Sequence, residues 1–368
     1  MPLSKSMTIA SSPMKENTTY DALVLFSAGL DSLLTAKVLM KQGLRVKCLH
    51  FVTPFFGHPG HVKGWEKTYG LDIDIIDVGN AYVDMMRKGP KYGFGKLFNP
   101  CVDCKILMLS TAKKLLKKYG ASFIATGEVV GQRPMSQRPD ALNSIRNDSE
   151  TEGFLLRPLS AKHLPPTPME ESGLVDREQL YGFYGRGRKD QMALVRELGV
   201  REEDIPTPAG GCRLTESPSA CRYAPIFEHY PDATDQDFYL ANVGRQYWAG
   251  THWLSIGRDK ISNEMIERNI RPTDYVFQLK DYPGPLVLGR PFAGEWSEEA
   301  LRDAAAMTAY FSPRARRAGT ETPVILRQGD EERELSVLPS KENSTGFHEN
   351  VWKDVKYVRN GMDHHHTR

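Results

Sequence analysis

The sequence has no apolar run of the roughly 20 residues that a membrane-spanning helix needs. It also lacks a dominant charge. Forty-eight Lys+Arg stand against 46 Asp+Glu, a net +2, so bulk charge does not announce a nucleic-acid binder and leaves only a local basic surface for that role. Five cysteines in 368 residues do not make a disulfide framework, which points to a reducing, cytoplasmic setting and no membrane partner. Residues 1–20 are rich in Ser, Thr and Lys and have no apolar h-region; they read as a disordered leader rather than a signal peptide. The tail His364-His365-His366 is a low-complexity end and is set aside as a metal site. What remains is long enough for two domains with real cores.

The stretch that organises the chain is Asp21-Ala-Leu-Val-Leu-Phe-Ser27-Ala28-Gly29-Leu30-Asp31-Ser32. It reads as a buried strand, a tight turn and the start of a helix that stops at Gly43. Such a turn aims backbone N–H groups and the positive end of a helix at one point, which suits a phosphate. Ser27 and Ser32 add hydroxyl donors, and Asp31 can orient a magnesium ion or the turn itself. The turn is neither a Walker loop nor Gly-x-Gly-x-x-Gly. Further apolar strands follow at Val46–Val52, Leu71–Val78 and Ser122–Thr126, alternating with helices that include a long one from Cys104 to Tyr119. This βαβ rhythm implies an α/β fold with a doubly wound parallel sheet, followed by a second, smaller α+β domain. Nucleotides bind such sheets at the carboxyl ends of the strands, where the Ser27 turn falls.

Ser27-Ala28-Gly29-Leu30-Asp31-Ser32 resembles the PP-loop of the ATP pyrophosphatases, usually Ser-Gly-Gly-x-Asp-Ser, with Ala28 where that family has Gly. The resemblance implies that ATP and Mg2+ bind here, with Phe51 on the second strand lining the same cleft. ATP would be split between its α and β phosphates, and AMP attached to an oxygen that must leave. A second small-residue loop, Thr126-Gly127-Glu128-Val-Val-Gly131-Gln132 followed by Ser136-Gln137, sits after the fourth strand. With Arg157-Pro158-Leu159 further on, it resembles the catalytic domain of the ThiI family, the tRNA 4-thiouridine synthetases, over Asp21 to Leu198. On that resemblance Thr126, Gly127, Glu128 and Gln132 line the ATP cleft and tRNA is the substrate. Read without it, Glu128 positions magnesium or a hydroxyl, or caps the next helix.

Asn99-Pro100-Cys101-Val102-Asp103-Cys104 opens a helix, where the dipole favours thiolate. Pro208-Ala209-Gly210-Gly211-Cys212-Arg213 places a third cysteine beside an arginine. The layout resembles the MnmA family of 2-thiouridylases, which implies Cys104 and Cys212 as the working pair. Three readings stay open. One sulfur carries a persulfide and the other resolves the product; or Cys101, Cys104 and Cys212 hold a [4Fe–4S] cluster with an open iron position; or the three bind structural zinc with Cys221. Cys48, inside an apolar strand, reads as core.

Ser160–Ser172 reads as a Pro-rich linker, and Tyr181–Lys189 interleaves aromatics with Arg186, Arg188 and Lys189, a composition suited to stacking on RNA bases. The expected domains are 21–230, carrying ATP binding and sulfur transfer, and 235–368. The second resembles the NFACT-R domain, a proposed RNA-binding module, through its Asp-Tyr strand, Pro-Gly turn and Ala-rich helix, with Arg314, Arg316 and Arg317 after it. No THUMP-like or rhodanese-like segment is recognised, so on these resemblances the second domain takes the grip on tRNA. Sulfur then arrives as sulfide or from a donor protein. The function expected is ATP-dependent tRNA thiolation, with 4-thiouridine favoured and 2-thiouridine the alternative. From other classes, the alternatives are an amide-forming PP-loop ligase, which needs neither Cys104 nor Cys212, and a non-catalytic RNA-binding protein.

Overall fold

A strand at the centre of a parallel sheet must be apolar on both faces, and every residue of Ala22–Leu25 is buried. In a computed structural model of the chain, residues 9–10, 19–206 and 211–363 are described. Most of the leader, Pro208–Gly210 and the terminal histidines lie outside them. The chain divides into two compact units, Met1–Arg213 and Leu214–Arg368.

The first unit carries β1 (Ile9–Ala10), β2 (Ala22–Leu25), β3 (Val46–Val52), β4 (Ile73–Asp77), β5 (Phe123–Thr126) and β6 (Leu155–Leu156). The sheet order is β1-β4-β3-β2-β5-β6. β2 to β6 are parallel, and β1 joins β4 antiparallel at the edge. Helices α1 (Leu30–Lys41), α2 (Val62–Tyr69), α3 (Gly79–Lys88), α4 (Cys101–Tyr119), α5 (Pro139–Asp148), α6 (Pro168–Glu171) and α7 (Lys189–Glu197) connect and follow the strands.

The period-2 alternation of a strand splits the core into two layers. Ala22, Val24 and Phe26 pack with α1 residues Leu33 and Leu34 and α7 residues Leu194 and Val195. Leu23 and Leu25 pack on the other face with Leu109, Ala112 and Leu115 of α4. Phe51 belongs to that second layer and is buried. Cys48 is fully buried in the first, and burial pushes its thiol far up, as a core cysteine should be. The chain turns to opposite sides of β2 by way of β3 and β5, so the switch point lies at the carboxyl ends of β2 and β5.

Ser160–Ser172 is ordered rather than a linker. Thr167 and Glu170 form a capping box on α6, and Ala161 and Met169 join the core. The Leu155–Leu156 pairing adds a fifth parallel strand that the sequence does not announce.

The second unit begins with α8 (Ser217–His229) and α9 (Asp235–Ala241). Its boundary therefore falls ahead of the expected 230–235 junction. Strands β7 (Arg245–Ala249), β8 (His252–Ile256), β9 (Tyr275–Leu279), β10 (Val287–Pro291), β11 (Thr322–Gln328) and β12 (Glu331–Val337) form an antiparallel sheet, order β12-β11-β9-β10-β8-β7. The unit also holds α10 (Lys260–Glu267), α11 (Glu298–Tyr310), α12 (Pro313–Ala318) and α13 (Trp352–Asp363). Small residues Ala304 and Ala305 let α11 lie close against Phe277 and Leu326 of the sheet.

Beneath this sheet, Arg290 donates to Asp274 from Nε at 3.0 Å and from Nη2 at 2.7 Å, and to Asp237 at 2.8 Å. All three side chains are almost fully buried. Asp237 keeps Arg271 at 2.9 Å, but removing Arg290 leaves Asp274 buried without its cation, so Arg290→Met should cost about 3–5 kcal/mol, read as a fall in the thermal midpoint of the second unit.

Candidate functional site

Two loops meet at the switch point because one of them carries no side chain. A Cβ on Gly127 would lie 2.5 Å from the backbone carbonyl of Asp31 and 2.8 Å from the Ser32 nitrogen. The loop after β5 therefore rests on the first turn of α1. There, Ser32 Oγ donates to the Gly29 carbonyl at 2.8 Å and accepts from Ser27 N at 3.3 Å. Leu30 is buried in the core, while Ser27 stays exposed at the turn. Ala28 holds φ +59°, the left-handed region that favours glycine. The residue that departs from the PP-loop pattern thus keeps the backbone conformation a glycine would take.

Asp31 faces into this turn. Burial raises its pKa, opposed by Gln132, Arg188, Gln191 and Arg133. Gln191 of α7 reaches its Oδ1 at 3.5 Å. The arginine of the basic loop that comes near Asp31 is thus Arg188, while Arg186 and Lys189 are exposed and Tyr184 is 63% exposed beside them. Gly185 N donates to the Val130 carbonyl at 2.8 Å, which fixes that loop to the β5 loop.

Buried side-chain atoms without a hydrogen bond gather here. They are Glu128 Oε1, both amide atoms of Gln132, Gln137 Oε1 and Gln191 Oε1. Buried polar groups are ordinarily satisfied, so this cluster offers partners to a polar ligand or to ordered water. Glu128 itself is 1% exposed. Its Oε2 takes Arg157 Nε at 2.9 Å and Thr126 Oγ1 at 3.0 Å. Burial works against its charge, but Arg157 and Lys105 hold its pKa low. Arg157 is therefore the counter-ion of Glu128, and Glu128 caps no helix.

Lys105 was not singled out by sequence. Its Nζ stands 4.0 Å from Glu128 Oε1, one residue along α4 from Cys104, so the cysteine helix reaches the same end of the sheet. Asn99 strengthens the link. Its amide donates to Cys101 Sγ at 3.4 Å and approaches Met135 Sδ at 3.6 Å in the loop after β5.

The thiols depart from expectation. Helix α4 begins at Cys101 itself, yet burial pushes the Cys104 thiol up to about 11, with Cys101 and Asp103 adding to the rise and Tyr82 and Lys105 opposing it. Desolvation outweighs the helix dipole, whose effect is worth only about 0.3–1 kcal/mol at an exposed site. Tyr82 of α3 is 1% exposed and hydrogen-bonds Cys104. Burial raises its own pKa well above the usual phenol, and Cys104, Cys212 and Cys101 all add to that. Cys104 thus hydrogen-bonds the Tyr82 phenol, while Cys101 and Cys212 act on it electrostatically. Among the described residues no group of three or more His, Cys, Asp or Glu is arranged to hold a metal ion. Cys221 is buried in α8 of the second unit.

Arg314, Arg316 and Arg317 are exposed on α12, with Arg316 over the Tyr310 ring at 5.0 Å. Among the described residues no helix is long and apolar enough to cross a membrane.

The first unit is thus a doubly wound α/β protein with a phosphate-loop-like turn at its switch point. No protein-family profile matches the chain. Over 121 residues it is 37% identical to the probable tRNA sulfurtransferase of Methanobrevibacter smithii, covering 30% of each chain. It is 30% identical over 150 residues to the tRNA sulfurtransferase of Photorhabdus laumondii, covering 39% of this chain and 29% of that one. The tRNA sulfurtransferase of Erwinia tasmaniensis is 25% identical over 246 residues, 64% of this chain and 43% of its own. The chain therefore spans less than half the length of these relatives. Among solved structures, a predicted subunit of tRNA methyltransferase from Methanocaldococcus jannaschii overlays with TM-score 0.31 and 18% identity, over 48% of this chain and 76% of that one. The NMN synthetase of Francisella tularensis overlays with TM-score 0.25 and 11% identity, over 52% and 89%.

Two outcomes follow from the geometry. Gly127→Ala should abolish ATP binding in a calorimetric titration while the far-ultraviolet dichroism is retained, because the new methyl displaces Asp31. Alkylation of Cys104 by iodoacetamide, followed by mass spectrometry, should rise with pH toward an apparent pKa of about 11. In urea the same thiol should titrate near ~8.5.

Proposed function

We propose that this protein is an ATP-dependent tRNA sulfurtransferase whose first unit works as a PP-loop enzyme of the ThiI kind. The observation that carries the reading is the meeting of three segments at one end of the sheet. Gly127 rests on Asp31, Lys105 reaches Glu128, and Asn99 ties Cys101 to the loop after β5. Activation by ATP and delivery of sulfur need that adjacency, and the relatives named tRNA sulfurtransferase support the same chemistry.

The chemistry starts from a uridine carbonyl, whose oxygen is a very poor leaving group. ATP binds across the Ser27–Ser32 turn, beside the Gln132 amide and the Gln191 Oε1 atom that the fold leaves for a ligand. Asp31 would be the residue to hold Mg2+, which would supply neutralisation of phosphate charge. The uridine oxygen attacks the α-phosphorus and pyrophosphate leaves. Sulfur on Cys212 then attacks the activated carbon, AMP departs with the oxygen, and an α4 thiol cleaves the S–S bond to leave the thiocarbonyl and a disulfide. A thiol reductant returns both cysteines for the next turnover. Cys212 is the carrier in this scheme because Cys104 is held protonated near pH 7. A donor protein's persulfide passes its outer sulfur to the Cys212 thiol and leaves as a thiol; alternatively sulfide attacks the Cys212–α4 disulfide, giving the Cys212 persulfide and releasing the α4 thiol.

tRNA contacts are assigned to exposed Tyr184, Arg186 and Lys189 near the cleft, with Arg188 closest to Asp31. The second unit, in an NFACT-R-like role, adds Arg314, Arg316 and Arg317.

Anaerobic incubation with ATP, Mg2+, sulfide and unmodified tRNA, followed by nucleoside mass spectrometry, tests the reading. The expected product is 4-thiouridine, separated from 2-thiouridine by retention time and lost in Cys212→Ala. AMP production without any thionucleoside would overturn thiolation and favour an amide-forming ligase.

A further inference from the structure

His50 is a buried histidine that the chemistry above leaves unused. It is 2% exposed on β3, yet both ring nitrogens are engaged. The backbone N–H of His58 donates to Nε2 at 2.9 Å. Nε2 must therefore be the acceptor, and the proton sits on Nδ1, which meets the Phe26 carbonyl oxygen at 2.9 Å. Only the neutral imidazole with this tautomer makes both bonds.

The two partners lead in opposite directions. Phe26 immediately precedes Ser27, so one bond holds the strand end that feeds the phosphate-loop turn. His58 ends a tight turn in which Thr53 Oγ1 accepts from Phe55 N and Phe56 N, both at 3.1 Å. The carbonyl of Phe55 in that turn accepts from Arg213 N at 2.8 Å, the residue beside Cys212. A Cβ on Gly211, on the other side of Cys212, would stand 3.7 Å from His58 Nε2. The ring thus joins the strand end at Phe26 to the His58 turn, and the backbone of that turn in its own right holds the segment bearing Cys212. Trp65 lies edge-on to that ring at 5.0 Å and Phe26 at 6.5 Å, which fixes its plane.

From this we infer that His50 is a positioning residue that ties the phosphate-loop turn to the segment bearing Cys212, so that nucleotide binding and the state of that thiol are coupled. The inference rests on the Ser27 turn being the ATP site. Burial lowers the His50 pKa, the Phe26 hydrogen bond opposing, which agrees with a ring kept neutral for this task.

The test uses the full chain with Mg-ATP and iodoacetamide, reading Cys212 alkylation by mass spectrometry and ATP affinity by calorimetry. His50→Asn keeps a donor at the Nδ1 position for Phe26 and loses the acceptor for His58; His50→Gln reaches the His58 N–H and abandons Phe26. In the unsubstituted protein, ATP should change the Cys212 rate by about fivefold or more. His50→Asn should bind ATP unchanged and lose that response. His50→Gln should weaken ATP binding by about tenfold, the worth of one buried hydrogen bond. A Cys212 response that survives in His50→Asn overturns the inference. Should His50→Asn not fold, undiminished ATP affinity in His50→Gln overturns it instead. Failure of the unsubstituted protein to bind ATP removes the reading of the Ser27 turn and the coupling with it. ATP binding that leaves the Cys212 rate untouched removes the coupling alone.

Discussion

The contact between Gly127 and the backbone of Asp31 and Ser32 is the constraint on which the rest of the site depends. It brings the loop after β5 to the start of α1, closer than any side chain permits. From there the other parts follow in order. Glu128, the next residue, is carried inward and must be neutralised, which Arg157 does from the segment after β6. Lys105 then faces the remaining oxygen at 4.0 Å, which brings the start of α4 to the same end of the sheet. A buried ion pair of this kind adds little net stability, because desolvation offsets the Coulomb gain. Its contribution here is registry: it locks two loops and a helix in one arrangement.

The cysteine centre shows how burial decides between competing effects. Placement at a helix start argues for a thiolate, and the short-range physics of the helix is correct. Burial nevertheless removes the water that a thiolate needs, and Cys101 and Asp103 add charge of the wrong sign, which outweighs the opposing Tyr82 hydrogen bond and Lys105. Reactivity at Cys104 therefore awaits a change in its surroundings, whereas the Cys212 segment is anchored through backbone hydrogen bonding to Phe55.

Much of this was readable from local pattern. The apolar run Ala22–Leu25 and the largely apolar Val46–Val52 reported the central strands, because a sheet covered on both faces favours that composition. The Ser27 turn, the Thr126 loop and the cysteine helix declared themselves through residue type. Features that depend on tertiary partners did not. Leu155–Leu156 is too short to carry a strand period, and its pairing with Ile124 and Ala125 alone makes it one. Ser160–Ser172 looked like a linker because of its prolines, although Pro at the first turn of a helix is favourable and Thr167 supplies the cap. The affiliation of α8 with the second unit was hidden because its apolar face does not say which neighbour covers it. His50, Tyr82 and Lys105 sit in stretches without a motif; only packing reveals them.

Ala28 has a consequence beyond its own conformation. A glycine at that position samples both signs of φ, and a loop containing it must be frozen when an anion arrives. An alanine held at φ +59° has already surrendered that freedom. It does so at a local cost of roughly 1–2 kcal/mol. Any anion bound at this turn would therefore meet a loop with less disorder left to lose, its association set more by desolvation than by ordering of the loop. The strain is stored in the fold, where the buried strand before it and the helix after it can bear the load.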